Sequence, residues 1–302
     1  MKVLVAGAAG MLGRKILEVF AGRAECVPTS LAGEEDGPGF RTLDLRDERA
    51  IEDRLASERP DAVINCAAYT AVDRCEDEET LAFEINAEAP GRLAAACARR
   101  GVRFVHFSTD YVFDGRLGRA YAEDDAPSPE SAYGRTKLEG ERRVREAGGD
   151  WLIARIQWLY GEHGPNFAET MLRLAASQPR LRVVSDQFGS PTYTGDVARE
   201  TLRLLEARQS GLFHVTNRGE TSWHGFARAV LDRGGWSGTP IDAITTAEFP
   251  RPARRPAYSV LENRRLEATI GRTMRVWTEA LDEYMERRRP AGEAERARGE
   301  AR

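Results

Sequence analysis

The feature that most constrains this chain lies within its first thirteen residues. Lys2–Ala6 is a short apolar run that gives way at once to Gly7-Ala8-Ala9-Gly10-Met11-Leu12-Gly13. A buried strand that ends in glycines and opens a helix makes a tight turn. Its backbone can approach a diphosphate, and the unpaired N–H groups of the helix start face that charge. The spacing is G-x-x-G-x-x-G rather than the G-x-G-x-x-G of simpler dinucleotide folds, so its place after the first strand carries the weight. Gly7, Gly10, Met11, Leu12 and Gly13 are therefore expected at a dinucleotide. The competing reading is an ordinary glycine-rich turn.

The first half of the chain then alternates. Met11–Phe20 carries apolar residues at helical spacing. Residues 26–30, 61–66, 102–108 and 151–156 read as strands, and residues 80–99 and 131–146 as helices, the former disturbed by Pro90. Such alternation specifies an α/β fold, a doubly wound parallel sheet of Rossmann type. After about residue 160 the order loosens. Residues 166–176, 196–207 and 277–287 look helical, and 212–216 and 241–245 look like short strands. This predicts a dinucleotide-binding domain over 1–160 and a mixed region over 161–287. That region completes the sheet and forms a smaller C-terminal substrate domain. Residues 288–302, charged and containing Pro290, are expected to be a flexible tail.

Composition removes several classes of function. A net charge of -4 gives no polycationic footprint for nucleic acid or anionic lipid. The opening apolar run is too short for a signal-peptide core or a membrane span. Cys26, Cys66, Cys75 and Cys97 lack metal-like pairing and fit reduced thiols in a cytoplasmic protein. Of the 44 basic residues only Lys2, Lys15 and Lys137 are lysines, so each lysine invites a question.

Lys137 answers it through its neighbour. Tyr133 and Lys137 stand four apart on one helix face. A cation beside a tyrosine favours tyrosinate and is expected to lower the phenol's pKa, giving an acid able to protonate an alkoxide near neutral pH. Lysine suits this as a compact point charge that can also reach ribose hydroxyls. A surface Tyr/Lys pair gives the same pattern, so context decides. Residues 108–113 follow a strand, and in an open α/β sheet the ligand crevice lies beyond such carboxyl ends. Thr109 there can hydrogen-bond a substrate carbonyl or, alternatively, cap a turn.

Ser30, preceded by Thr29, closes the second strand where a strict NAD protein would place an acid against a 2′-phosphate. Both NADPH and NADH are therefore expected as cofactors. Asp44 follows a third apolar stretch and either hydrogen-bonds the adenine amino group or caps a turn.

Further segments complete a pattern: residues 67–73 (AAYTAVD), 85–87 (INA), 108–113 (STDYVF), 166–172 (NFAETML) and 186–192 (DQFGSPT). With these the chain resembles the extended short-chain dehydrogenase/reductases, and among them the family of dTDP-4-dehydrorhamnose reductases, from residue 1 to about 287. The resemblance implies Tyr133 as proton donor, Lys137 as its electrostatic partner and Thr109 as the carbonyl-orienting hydroxyl. It puts Gly10 to Leu12, Asp44, Leu45, Ala68, Tyr69 and Thr70 along the cofactor. Thr109, Asp110 and Trp158, with Asn166 and Gln187 of the two most distinctive segments, fall at the sugar. The implied reaction is hydride transfer to C4 of dTDP-4-dehydro-L-rhamnose, with a nucleotide sugar as the partner molecule, no nucleic acid, no membrane, and a homodimer left open.

The chain departs from that pattern twice. Gln157 stands where a small hydroxyl residue is usual. Arg14 and Lys15 stand where some bacterial members carry an acid in a metal-linked dimer contact, so no metal is predicted. Three other readings remain. One is a reductase of a different nucleotide-linked deoxysugar. Another is a dehydratase, disfavoured because Tyr111 occupies the place of the extra glutamate. The third is a non-catalytic regulatory subunit resembling the β subunit of methionine adenosyltransferase.

Overall fold

Seven parallel strands form the central sheet: β1 Lys2–Ala6, β2 Glu25–Ser30, β3 Arg41–Thr42, β4 Ala62–Asn65, β5 Arg103–Thr109, β6 Trp151–Ile156 and β7 Gly211–His214. Their order is β7-β6-β5-β4-β1-β2-β3, every neighbouring pair parallel. The structure, a computed structural model, describes residues 1–33 and 39–288. The tail expected over 288–302 therefore lies, apart from Arg288, outside the described residues.

The sheet is apolar on both faces because helices cover both. The helices are α1 Met11–Phe20, α2 Glu48–Glu58, α3 Glu79–Phe83, α4 Ala89–Arg100, α5 Ala132–Ala147, α6 Phe167–Ser177, α7 Thr194–Glu206, α8 Trp223–Arg233, α9 Arg264–Ile270 and α10 Trp277–Arg287. On one face Ile16 and Phe20 of α1 and Leu202 and Leu205 of α7 pack on Val3 and Val5. On the other, Leu55 of α2, Leu93 of α4 and Val144 of α5 pack on Leu4 and Val63. A third apolar cluster stands apart from the sheet. It joins Met171 and Leu172 of α6, Phe226 and Val230 of α8, and Leu281 and Tyr284 of α10 around Tyr160.

The helix expected over 80–99 is broken into three pieces, with a single π turn, Glu84–Glu88, between α3 and α4. Pro90 has no N–H to return to the carbonyl of Asn86, and the ladder widens just ahead of it. Helix α8 was not anticipated, although Trp223, Phe226, Ala227, Val230 and Leu231 follow the helical period behind the capping Ser222. Among the described residues no helix is long and apolar enough to cross a membrane.

Candidate active site

The strand order reverses between β1 and β4, and a crevice opens there beyond the carboxyl ends of the strands. A cavity of about 810 Å³ fills it. One wall is the glycine turn. Gly7 has φ +69°, and a Cβ on it would lie 2.6 Å from the backbone nitrogen of Ala67. A Cβ on Gly13 would lie 2.4 Å from the carbonyl oxygen of Gly7. Neither can be another residue without moving backbone, so the start of α1 sits close against the β1 and β4 ends. Gly10 caps α1, and with Met11 and Leu12 it faces the cavity.

The loop after β4 forms the next wall through Ala68 and Thr70. Asn86, in the π turn, clamps this loop. Its Oδ1 accepts from the Tyr69 N–H at 2.8 Å, and its Nδ2 donates to the Tyr69 carbonyl at 3.0 Å and to Thr136 Oγ1 at 3.2 Å.

The end of the cavity expected to carry the reaction lies where β5, α5 and β6 meet. Thr109 ends β5; its hydroxyl accepts from the Tyr111 N–H at 3.2 Å and donates to Asp110 at 3.0 Å. Ser131 starts α5 by accepting from the Gly134 N–H, which brings Tyr133 and Lys137 to the same cavity as Thr109. The Tyr133 ring meets Tyr111 edge-on at 5.4 Å.

One expectation needs correction here. Lys137 was expected to pull the Tyr133 phenol down, yet the phenol lies above its ordinary value. Burial is the main cause and the Asp110 carboxylate adds to it, while a hydrogen bond with Thr109 opposes both. Lys137 points elsewhere: its Nζ donates to the Phe107 carbonyl at 2.7 Å and lies 3.4 Å from His106 Nε2. Burial brings Lys137 itself down to about 8, against the opposing pull of Glu141. A phenol held in its protonated form is a competent donor to an alkoxide, which is far more basic than a phenolate.

The far wall of the cavity, where the sugar is expected, is built from side chains. Gln157, the departure noted above, is a hub. Its Nε2 donates to Asp110 at 2.9 Å and to the Ser259 carbonyl at 2.7 Å, and its Oε1 accepts from the Ser190 N–H at 2.7 Å. Ser259 Oγ completes the group with a 2.7 Å bond to Asp110. Burial raises the Asp110 carboxyl, and the bonds from Ser259, Gln157 and Thr109 work against that. Trp158 stacks on Trp223 with ring centroids 3.5 Å apart, and both line the cavity. Trp158 has φ +44°, an uncommon and strained setting for so bulky a residue.

The remaining expected residues lie off the cavity wall. Ser30 ends β2, is buried, and its Oγ finds no hydrogen-bond partner among the described residues. Asp44 accepts from the Arg46 backbone at 2.9 Å and binds its guanidinium at 2.7 Å; Arg46 holds the Asp44 carboxyl below its usual range. The cap of α2 is Asp47 instead. Leu45 packs in the core beneath the sheet, and the Tyr69 hydroxyl is bonded to Glu78. Asn166 caps α6 and donates to the Gly161 carbonyl at 2.8 Å, between the cavity-lining Gly164–Pro165 and Phe167. Gln187 donates to Thr246 Oγ1 at 3.0 Å. The sequence reading missed Asn65, His106, Ser259 and Trp223. Asn65 ends β4 at the crevice, a position that could have marked it, whereas His106 lies opposite it in the middle of β5.

The sheet order, the glycine turn at its switch point and the hydroxyl–tyrosine–lysine cluster beside it define the class. This is a dinucleotide-dependent oxidoreductase of the extended short-chain dehydrogenase/reductase type. Residues 1–289 match the family described as RmlD substrate binding domain, and the chain belongs to that family. It is 42% identical over 300 residues to a dTDP-4-dehydrorhamnose reductase of Burkholderia thailandensis, covering 93% of this chain and 97% of that one. A solved dTDP-4-dehydrorhamnose reductase of Clostridium acetobutylicum superposes with a TM-score of 0.89 at 43% identity, covering 95% and 99% of the two chains. That of Bacillus anthracis, solved with NADP, gives 0.88 at 33% identity, covering 94% and 98%.

Proposed function

We propose that this protein reduces the C4 keto group of dTDP-4-dehydro-L-rhamnose to give dTDP-L-rhamnose, using NADPH or NADH. The observation that carries the reading is the meeting of Thr109, Tyr133 and Lys137 in one cavity at the switch point of a chain belonging to this family. The residues present fit a dinucleotide. The close-packed Gly7 and Gly13 bring the α1 N-terminus to a diphosphate, and the Ser30 Oγ, without a partner among the described residues, lies at the strand end where a ribose would come. Gly10, Met11, Leu12, Ala68 and Thr70 would line it, and Asp44 and Leu45 would lie at its adenine end. When bound, the nicotinamide supplies the hydride, and the protein supplies orientation and charge.

In this reading the Thr109 hydroxyl, which has one proton, turns it from Asp110 to the substrate carbonyl when the sugar binds, and Tyr133 gives its phenolic proton to the oxygen as negative charge develops. Asp110 and Trp158 hold the sugar, while Asn166 and Gln187 act indirectly by fixing the loops around it. The apolar cluster around Tyr160, drawn wholly from the later chain, supports a smaller substrate domain after about residue 160, and the later residues packed on Val3 and Val5 finish the sheet. The reading places the protein in the cytoplasm with the nucleotide-sugar pool, as a monomer or homodimer.

The test is oxidation of NADPH by the purified protein on enzymatically prepared dTDP-4-dehydro-L-rhamnose. Stoichiometric formation of dTDP-L-rhamnose is expected. Turnover of another dTDP-4-ketosugar at a kcat/KM at least tenfold higher would move the assignment to that sugar. No turnover of any of them would favour a regulatory subunit.

A further inference from the structure

Behind the lysine of the reacting end lies a buried polar chain whose direction is fixed by one backbone donor. The Ala67 N–H donates to Asn65 Oδ1 at 3.1 Å. An N–H can only donate, so the oxygen of the Asn65 amide must face it, and the amide nitrogen must face the other way. That nitrogen lies 3.2 Å from His106 Nδ1, its cross-strand neighbour on β5. Nδ1 must therefore accept, and in a neutral imidazole the proton then sits on Nε2. Burial, with Lys137 adding to it, pushes His106 well below its ordinary value, so the ring is neutral. Nε2 faces Lys137 Nζ at 3.4 Å. An ammonium has no lone pair to accept from Nε2–H, whereas a neutral amine does. The amine can still donate to the Phe107 carbonyl at 2.7 Å and keep one N–H for the cavity.

We propose that Asn65 and His106 are positioning residues that lock the imidazole as its Nε2–H tautomer and thereby favour the neutral amine form of Lys137 in the free protein. The other groups around Lys137 do not supply this bias. Glu141, on its own helix, favours the ammonium but is itself bound to the buried Arg155 of β6 at 2.8 Å. Tyr133 on the same helix is held protonated, and Asp110 at the end of β5 is committed to Thr109, Gln157 and Ser259. Cys66, beyond β4, has its thiol pushed up by burial and stays neutral. The chain of donors thus sets how readily Lys137 takes the charge that would steady a Tyr133 phenolate once its proton has left. This consequence rests on the reaction proposed above, but the tautomer and the lysine charge do not.

The sequence makes the measurement tractable, since it holds four histidines and three lysines. ¹⁵N-histidine NMR of the wild-type protein should show His106 as the Nε2–H tautomer, assigned by loss of its signals in His106→Gln. Asn65→Asp is the decisive variant. A carboxylate there still accepts from Ala67 N–H but can only accept from the ring, so His106 should switch to Nδ1–H and present a lone pair to Lys137. In ¹³Cε-lysine titrations Lys137 should then take up its proton about one pH unit higher, a tenfold gain in proton affinity. A plain electrostatic effect of the new carboxylate would move the lysine without moving the tautomer. An Nδ1–H ring in the wild type, or an unchanged tautomer in folded Asn65→Asp, overturns the proposal. Should Asn65→Asp not fold, the wild-type tautomer decides alone. The alkaline limb of kcat/KM should rise with the lysine; if it stays while both NMR results hold, the assigned role of Lys137 in the reaction fails and the polar chain stands.

Discussion

At the end of the crevice proposed for the cofactor, positions are set by backbone, and at the end proposed for the sugar, by side chains. Gly7 and Gly13 work by what they lack, letting α1 press against β1 and the loop after β4. The clamp on that loop, from Asn86, grips the main chain of Tyr69. Across the cavity, Gln157 joins Asp110, Ser190 and Ser259, while Trp158 rests on Trp223. Asp73, in the loop after β4, is tied to Arg251 and Arg255 of the late chain. A surface held by backbone tolerates side-chain variety and fits a ligand common to many proteins. A surface held by side chains can be retuned one residue at a time, as a specific sugar requires.

The largest effect is expected where the two surfaces meet. Tyr133→Phe removes one proton donor and should lower kcat by about 10²–10⁴-fold, with the dinucleotide Kd nearly unchanged. Wild-type turnover would remove Tyr133 as the acid. Next comes the backbone side. Gly7→Ala should cost about 2–4 kcal/mol of stability, from the left-handed φ and the collision with Ala67, and should weaken dinucleotide binding with it. Chemical denaturation and a fluorescence titration read both. If stability holds and only sugar KM rises, the contrast drawn above is wrong.

The side-chain counterpart is Gln157→Thr, which leaves Asp110 and the Ser190 N–H short of a partner. A loss of roughly 1–3 kcal/mol is expected, seen mainly as a raised KM for the sugar with the cofactor Kd intact. An equal effect on both ligands would erase the distinction. Ser30→Asp sharpens the cofactor side. It should lower kcat/KM with NADPH about tenfold more than with NADH, or ~1.4 kcal/mol, because a carboxylate would face the 2′-phosphate. An unchanged ratio would take Ser30 away from the ribose.

The smallest effect concerns the tie between the two surfaces. Burial alone would push Asp73 up, but Arg255 and Arg251 outweigh it and hold the carboxyl at about 2, below its ordinary 3.8. A carboxyl held down contributes stability that is full above pH 3.8 and is lost as pH falls through about 2. The difference between wild type and Asp73→Asn in urea should therefore be on the order of 1 kcal/mol at pH 7, after solvent screening, and shrink toward pH 2. A constant difference would show that the arginines act by packing.

The same contrast explains what could be read before the fold was seen. The glycine turn, the alternating elements and the Tyr133/Lys137 spacing are local, so their physics is written in neighbouring residues. Gln157 stood out only as a departure, because its partners Ser190 and Ser259 lie 33 and 102 residues away. The direct partners of Lys137 escaped the sequence for a similar reason. Helical spacing brings it near Tyr133, but nothing local says that the Phe107 carbonyl and His106 reach its Nζ. The π turn at Glu84–Glu88 was half legible: Pro90 marked the break, and the use made of it by Asn86 depends on a distant loop.

The bond from Gln157 to the Ser259 carbonyl has a meaning for synthesis as well. Ribosomes add about 5–20 residues per second. The glycine turn and the first six strands are therefore made roughly 5–20 s before Ser259 exists to close the sugar side. A nascent chain paused in that interval would carry a dinucleotide cleft with an unfinished far wall. Its Asp110 would still lack the bond from Ser259, so the wall proposed for the sugar is completed late in the life of each copy.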